Sequence, residues 1–184
     1  MKLTNKLIIE TSEELESWKN DTSYAAQCID ELDFVNGGDI DDDGYLSLDY
    51  TMGVDVKNVT SGRNFDNITK VVVSDCRYLE KMLKLFVNLK CVDIHNLMIT
   101  YVSDFGSARN QLYWYLKTAK INELRLTAGI VHYWDFLENE NIKHLYVDDH
   151  YNYPGCCQDF ICNVPEEAAS KWTIPCMEIN YSGK

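Results

Sequence analysis

One apolar pattern recurs five times in the second part of the chain, and it limits the folds that the chain can adopt. The pattern has apolar residues at its first, fourth and sixth positions, and it runs through 68–73, 89–94, 121–126, 142–147 and 174–179. The starting positions lie 21, 32, 21 and 32 residues apart. Such internal self-similarity is typical of repeat architectures, in which each unit buries its apolar face against the next.

Each repeated segment predicts a β-strand with one buried face, because the last two apolar positions alternate with polar ones. The intervening stretches predict helices, because apolar residues recur there at steps of three and four. Those residues are Tyr78, Leu79, Met82, Leu83 and Phe86, then Leu112, Tyr115 and Leu116, then Tyr133, Phe136 and Leu137. The last stretch contains Pro154-Gly155 and Pro165, which predict a loop and a short helix at 166–171.

This alternation of strand and helix resembles the leucine-rich repeat. The first segment has Cys76 where the family has Asn or Cys, whereas the other four have Leu97, Gly129, His150 and Ser182. The resemblance implies an α/β fold, with a short irregular array of about five strand–helix units over residues 67–184. The alternative is an ordinary α/β domain with five similar strands.

Residues 1–66 do not fit the pattern and predict an α+β cap for one end of the array, since repeat arrays need capped ends. Thr11 or Ser12, followed by Glu13 and Glu14, indicates a capped helix start. A second helix is predicted through Ala25, Cys28, Ile29 and Leu32, and a hairpin through Tyr45–Tyr50, Gly53, Val54 and Val56.

Negative charge is concentrated in this cap. Residues 1–66 contain 15 acidic and 5 basic residues, a net charge of −10, whereas residues 67–184 contain 14 and 12, a net charge of −2. Such a field repels nucleic-acid phosphates and favours a protein partner with a basic surface. Solubility alone is the other explanation of the charge.

The sequence predicts a cytoplasmic protein without a membrane segment. No signal peptide or stretch of transmembrane length is evident. Seven cysteines at irregular positions favour reduced thiols over a disulfide framework.

Two groups of residues resemble metal sites incompletely. Residues 39–47 resemble the start of an EF-hand calcium loop, with Asp39, Asp41 and Asp43 as alternate ligands, but Tyr50 stands where the bidentate carboxylate belongs. An acidic hairpin or loop surface is the preferred interpretation. The cysteines Cys156, Cys157, Cys162 and Cys176, with His150 nearby, lack the close pairs of a zinc site and are interpreted as buried thiols. No cofactor is therefore expected.

Signatures of catalysis are scarce. The chain has no G-x-S-x-G, no phosphate-binding glycine loop and no H-E-x-x-H. A Cys–His pair across strands, such as Cys91 with His144, is conceivable but no motif indicates it. The sequence therefore favours a protein that is not an enzyme.

Polar residues between the apolar ones should align into two ladders on one exposed sheet face. The ladders are Val72, Asp93, Arg125, Tyr146 and Glu178, and Ser74, His95, Thr127, Asp148 and Asn180. Arginine and aromatic residues of this kind dominate protein-recognition surfaces. The predicted partner-binding residues are Asp39, Asp41, Asp42, Asp43, Asp93, His95, Arg125, Tyr146, Asp148, Tyr151, Tyr153 and Glu178. A plain solvated sheet face is the alternative.

Together these features predict a non-enzymatic inhibitor or adaptor that docks on a basic surface of another protein, such as a nucleic-acid-processing enzyme. Phage anti-defence proteins, including anti-CRISPR-like ones, and toxin-immunity proteins are of this class. The alternative functions are a calcium- or metal-responsive module, or a small hydrolase with an unrecognised site. No direct nucleic-acid or membrane binding is expected.

Overall fold

The structure is a computed structural model, and it describes residues 5–35, 54–74, 76, 78–99, 107–131 and 139–148. The chain divides into two compact units, Met1–Lys90 and Cys91–Lys184. In each unit the described residues form parallel strands accompanied by helices, which confirms the mixed α/β class.

In the described part of the first unit, three strands pair in parallel in chain order. They are β1 (Lys6–Ile9), β2 (Glu31–Phe34) and β3 (Lys70–Ser74). Helices α1 (Ser12–Lys19) and α2 (Tyr24–Gln27) lie between β1 and β2, a 3-10 helix (Arg63–Asn67) precedes β3, and α3 (Leu79–Leu83) follows it.

The described part of the second unit also has three parallel strands paired in chain order. They are β4 (Cys91–Ile99), β5 (Glu123–Val131) and β6 (His144–Asp148), with helix α4 (Ser107–Thr118) between β4 and β5. The predicted helix through Leu112 and Leu116 is thereby confirmed, and both side chains are buried. The predicted helix at Tyr133–Leu137 lies outside the described residues.

Four of the five repeated apolar segments coincide with β3, β4, β5 and β6, and the fifth lies outside the described residues. Their apolar positions are aligned in the second unit, where Val92 pairs with Leu124, and Leu124 with Leu145. The first position of the pattern is buried as well, at Ile68, Leu89, Ile121 and Ile142. The pattern therefore marks rows of core residues that run across neighbouring strands.

Strands β1 and β2 were not expected, and the predicted helix through Leu32 is wrong. Helix α2 ends at Gln27, and Leu32 lies in β2 in register with Leu7 of β1. The main-chain amides of Asp30 and Glu31 donate to the carbonyl oxygen of Asn5, at 3.0 and 3.2 Å. This pairing holds the segment extended, so tertiary hydrogen bonds override the local helical spacing.

The same main-chain connection recurs at later strand starts. The amides of Thr69 and Lys70 donate to the carbonyl of Asp30, at 2.9 and 3.2 Å, just before and at the start of β3. In the second unit, the amides of Lys143 and His144 donate to the carbonyl of Asn122, at 2.8 and 3.1 Å. In each case one carbonyl oxygen, just before a strand, accepts from two amides at the start of the neighbouring strand. These shared acceptors align the starts of the paired strands.

The predicted cap of the first helix is confirmed at Thr11. Its hydroxyl accepts from the amide of Glu14 at 3.3 Å, and the Glu14 carboxylate accepts from the amide of Thr11 at 3.1 Å. This reciprocal arrangement is a capping box, which satisfies main-chain donors that the helix itself leaves without partners.

An aromatic cluster lies in the core on the buried side of α1. The Trp18 and Phe65 rings stack with their centroids 6.0 Å apart, and those of Phe65 and Phe86 are 4.7 Å apart. Trp18 Nε1 donates to the carbonyl of Ala26 at 3.2 Å, so the polar atom of the indole is satisfied inside the core.

The predicted strand at Val54 and Val56 is wrong, because these residues lie in a bend and a turn, although both are buried. The helix predicted from Leu79, Met82 and Leu83 is confirmed as α3, and these three side chains are buried. The helix begins at Leu79, since the preceding Tyr78 has the left-handed backbone conformation, with φ of 65°. The strand at Tyr45–Tyr50 and the last predicted helix, at 166–171, lie outside the described residues.

Candidate functional site

Strand alternation in the second unit separates an apolar face from a polar one. Val92, Ile94, Leu124 and Leu126 are at most 1% exposed, so they fix which side of β4 and β5 faces the core. The intervening residues point to the opposite side. We call this side the polar face, and its described side chains are Cys91, Asp93, His95, Glu123, Arg125, His144 and Tyr146.

Two rows of polar residues cross the three strands in register. Asp93 pairs with Arg125, and Arg125 with Tyr146, so this part of the predicted ladder is confirmed. The second row was not predicted as a ladder and consists of Cys91, Glu123 and His144. The strand alternation could have predicted this second row, because Glu123 and His144 stand two residues before Arg125 and Tyr146, which were predicted.

Arg125 is held in place from two sides. Its Nε donates to Glu123 Oε1 at 2.6 Å, and its guanidinium carbon lies 4.6 Å from the centroid of the Tyr146 ring. The hydrogen bond with Glu123 raises the pKa of Arg125 above its ordinary value, and the nearby Cys91 and Asp93 add to this effect. The guanidinium therefore has two partners on the polar face, Glu123 and Tyr146.

His95 lies beside Asp93 at an irregularity of the sheet. Its Nε2 is 3.3 Å from Asp93 Oδ1, and its side chain is 47% exposed. Ile94 pairs with Leu126 and Leu97 with Ala128, so two residues of β4 stand opposite one residue of β5. A second shift, between Leu97 and Met98, places an extra residue on β5, so the two irregularities offset each other at the end of the polar face.

The conceivable Cys91–His144 pair is not in direct juxtaposition. Glu123 stands between the two residues in the register of the strands. Two interstrand spacings separate their backbones, about 9.6 Å at roughly 4.8 Å each. This register therefore does not favour a direct hydrogen bond between the Cys91 thiol and the His144 imidazole.

The sheet of the first unit has a different polar side. Lys6 Nζ forms an ion pair with Asp33, and Lys70 Nζ lies 3.2 Å from Glu31 Oε1. The bond with Asp33 raises the pKa of Lys6. Ser74, predicted for an exposed ladder, is instead buried at 5% exposure, so that assignment is wrong.

Several predicted partner-binding residues lie outside the described residues, namely Asp39, Asp41, Asp42, Asp43, Tyr151, Tyr153 and Glu178. The EF-hand-like segment and the cysteines at 156, 157, 162 and 176 lie outside them too. Asp148 belongs to β6, where its backbone pairs with Thr127, and its side chain is not described.

Among the described residues, no group of three or more His, Cys, Asp or Glu side chains is placed to hold a metal ion. No helix in the described ranges combines the length and the apolar character of a membrane span. No protein-family model, curated protein or solved structure matches the chain.

Proposed function

We propose that the chain is a non-enzymatic protein-binding protein, an inhibitor or adaptor that docks on a basic surface of its partner. The observation that carries this proposal is the row Asp93–Arg125–Tyr146, which sets an arginine and an aromatic ring side by side on the polar face. Arginine and tyrosine are enriched among the residues that dominate interface energies. Residues fixed before binding lose less entropy when a partner docks.

The distribution of charge supports a basic partner. The chain carries a net charge of −12, and in α1 the residues Glu13, Glu14 and Glu16 are exposed. The one lysine of α1, Lys19, is buried, and its Nζ donates to Glu16 and to Thr60 Oγ1 at 2.6 and 2.7 Å. The solvent side of α1 is therefore acidic, and such a surface accelerates encounters with a basic protein.

We also propose the leucine-rich-repeat-like array as the scaffold of this surface. Aligned apolar rows and the shared carbonyl acceptors at strand starts support a repeated unit. Hydrogen exchange tests it, because residues 174–179 should be protected like β4, β5 and β6 if they form a fifth strand. Rapid exchange at residues 174–179 would limit the array to the units that contain β3, β4, β5 and β6.

A nucleic-acid-processing enzyme is the partner class that we propose, in a cytoplasmic setting. Such enzymes carry cationic grooves, and an acidic protein occupies a groove of this kind by charge complementarity. This partner class fits both phage anti-defence proteins and toxin-immunity proteins.

Affinity purification from the source cells tests the proposed function. The tagged wild-type protein should retain a basic protein, and rising salt should release it because exposed charges are screened. The double variant Arg125→Ser, Tyr146→Ser should retain less of it. Equal retention by both proteins would remove the polar face from the proposal, and recovery of no stable partner would contradict protein binding itself.

A further inference from the structure

Strand β1 stands at the end of the strand order in the first unit, and β2 is the one described strand that pairs with it. The carbonyl of Ile9 points to β2, since it accepts from the amide of Val35 at 3.0 Å. Main-chain groups alternate in direction along a strand, so the amides and carbonyls of Lys6 and Ile8 point away from β2. Among the described residues none pairs with this outer edge, which therefore has main-chain donors and acceptors for a further strand.

The side chains along this edge favour such a strand. Natural sheet edges are commonly protected by charged side chains, lysine above all. The lysine of β1, Lys6, forms an ion pair with Asp33 on the neighbouring strand, so its charge is already matched. Ile8 pairs with Asp33 and is 52% exposed, and Val35, on the same side of β2, is 40% exposed. Exposed apolar surface thus lies beside the main-chain groups of the edge.

The charge around β1 selects a basic occupant. Residues 5–35 contain eight acidic and two basic residues, and both lysines already form ion pairs, with Asp33 and Glu16. Glu10 directly follows β1 and Glu13 lies in the first turn of α1. Both are exposed, and no ion pair of the described residues includes either of them. Pairing with a second copy of the chain would bring two such acidic surfaces together, which like charge opposes.

We propose that the outer edge of β1 receives an extended segment of the partner protein, rich in lysine or arginine, as an added strand. Main-chain bonds to Lys6 and Ile8 provide affinity, and Glu10 and Glu13 provide the preference for a basic segment. The Glu10 amide donates to Glu14 Oε2 at 2.7 Å, so the edge ends there. This inference rests on the proposed function for the basic character of the partner, and it adds a second contact surface to the polar face.

Fluorescence anisotropy with synthetic peptides tests the inference. The probe alternates lysine and valine. One control peptide has glutamate in place of lysine, and the other is the lysine peptide with N-methylated main-chain amides, which keeps the charge but donates no main-chain hydrogen bond. The full chain is measured as the wild type, as Ile8→Pro and as Ile8→Thr. Proline removes the outward amide of β1 without removing a bond to β2, and threonine keeps that amide.

We expect the lysine peptide to bind at physiological salt and the glutamate peptide not to bind. N-methylation and Ile8→Pro should each weaken binding about fivefold or more, the effect of about one net hydrogen bond, and Ile8→Thr should weaken it less. Equal binding of the methylated and unmethylated peptides would overturn the inference, because charge alone would then explain the binding. Absence of binding by the lysine peptide would overturn it as well.

The charge preference has its own matched pair of variants. Glu10→Gln and Glu140→Gln each remove one exposed negative charge, but Glu140 lies in the second unit. Glu10→Gln should weaken binding of the lysine peptide about twofold or more, and Glu140→Gln should not. Equal losses would indicate a response to net charge and would contradict docking at β1.

Hydrogen exchange of the wild type gives a readout that needs no variant. The lysine peptide should slow exchange of the Lys6 and Ile8 amides, since both would then be bonded. Slowing confined to other residues would overturn the inference. So would a wild-type dimer in sedimentation velocity that Ile8→Pro dissociates, because a second copy would then occupy the edge.

The affinity purification separates this inference from the proposed function. Equal retention of a basic protein by the wild type and by a folded Ile8→Pro would overturn docking at β1 and leave the proposed function standing. Recovery of no stable partner, while the lysine peptide still binds through its main-chain amides, would contradict the proposed function alone.

Discussion

The guanidinium carbon of Arg125 lies 4.6 Å from the centroid of the Tyr146 ring, on the strand next to its own. The two residues are 21 positions apart in the chain, and parallel pairing of β5 with β6 places them side by side. Cation–π contacts at exposed sites contribute about 0.5–1 kcal/mol. The contact therefore positions the Arg125 side chain over the Tyr146 ring but contributes little to the stability of the fold.

A double-mutant cycle measures this contact. We expect Arg125→Ala and Tyr146→Leu to show a coupling of about 0.5–1 kcal/mol in the free energy of unfolding, from urea titration of all four proteins. The control cycle combines Tyr146→Leu with Lys143→Ala, because the Lys143 side chain is exposed and does not stack on the Tyr146 ring. Strictly additive effects in the first cycle would show that the stacking does not persist in solution.

Asn139 should stabilise the second unit through its side-chain amide. Its Nδ2 donates to the carbonyls of Leu116 and Ala119, at 2.9 and 2.8 Å, where α4 ends. We expect Asn139→Ala to lower the free energy of unfolding by about 2–3 kcal/mol, because two buried carbonyls lose their donor. The exposed Asn88, whose Nδ2 donates only to the carbonyl of Asp66, is the control, and Asn88→Ala should cost less.

Asn64 should have the corresponding role in the first unit. It is fully buried, and its Nδ2 donates to the carbonyls of Trp18 and Asp21, at 2.7 and 2.9 Å, where α1 ends. We expect Asn64→Ala to cost about 2–3 kcal/mol as well, measured by urea denaturation. A smaller loss of stability in Asn64→Ala than in Asn88→Ala would argue against a role of Asn64 in stabilising the end of α1.

Replacement of Glu80 should stabilise the protein. Its side chain is fully buried, and neither carboxylate oxygen has a hydrogen-bond partner among the described residues. Burial of such a group without a partner costs free energy, so Glu80→Met, which keeps the length of the side chain, should raise the free energy of unfolding by about 1–3 kcal/mol. Glu13→Met, at an exposed position, should change it little. A loss of stability in Glu80→Met would indicate that the carboxylate is satisfied.

Alkaline pH should destabilise the protein partly through Tyr115. Burial raises the pKa of Tyr115 from 10.0 to about 12. The unfolded chain therefore ionises this phenol first, so its stabilising contribution is complete below pH 10 and is lost as the pH rises through about 12. The loss is at most about 2–3 kcal/mol. Urea titrations of the wild type and Tyr115→Phe at pH 8 and 11 should show a smaller decline in the variant, and equal declines would contradict this.

The sequence by itself located four of the strands and, in β3, β4 and β5, the apolar residues that they bury. The alternation in β3 to β6 is sufficient for this, because a strand with one buried face places every second side chain in the core. It also located the start of α1 at Thr11 or Ser12, whereas the choice of Thr11 and its reciprocal bonds with Glu14 came from the structure.

Only the tertiary structure decided what local spacing left open. Leu32 fits a helical spacing with Ala25, Cys28 and Ile29, yet Ile29, Leu32 and Phe34 also fit the repeated apolar pattern. Pairing of β2 with both β1 and β3 selects the strand, because main-chain hydrogen bonds on both sides outweigh a weak local preference.

The candidate site divides in the same way. Alternation placed Asp93, Arg125 and Tyr146 on one side of their strands, and the sequence sufficed for that. The contact of Arg125 with Glu123 and Tyr146, and the place of Glu123 between Cys91 and His144, required the register of neighbouring strands. Register is a relation between distant segments, and a shift of one residue would turn each of these side chains to the opposite face.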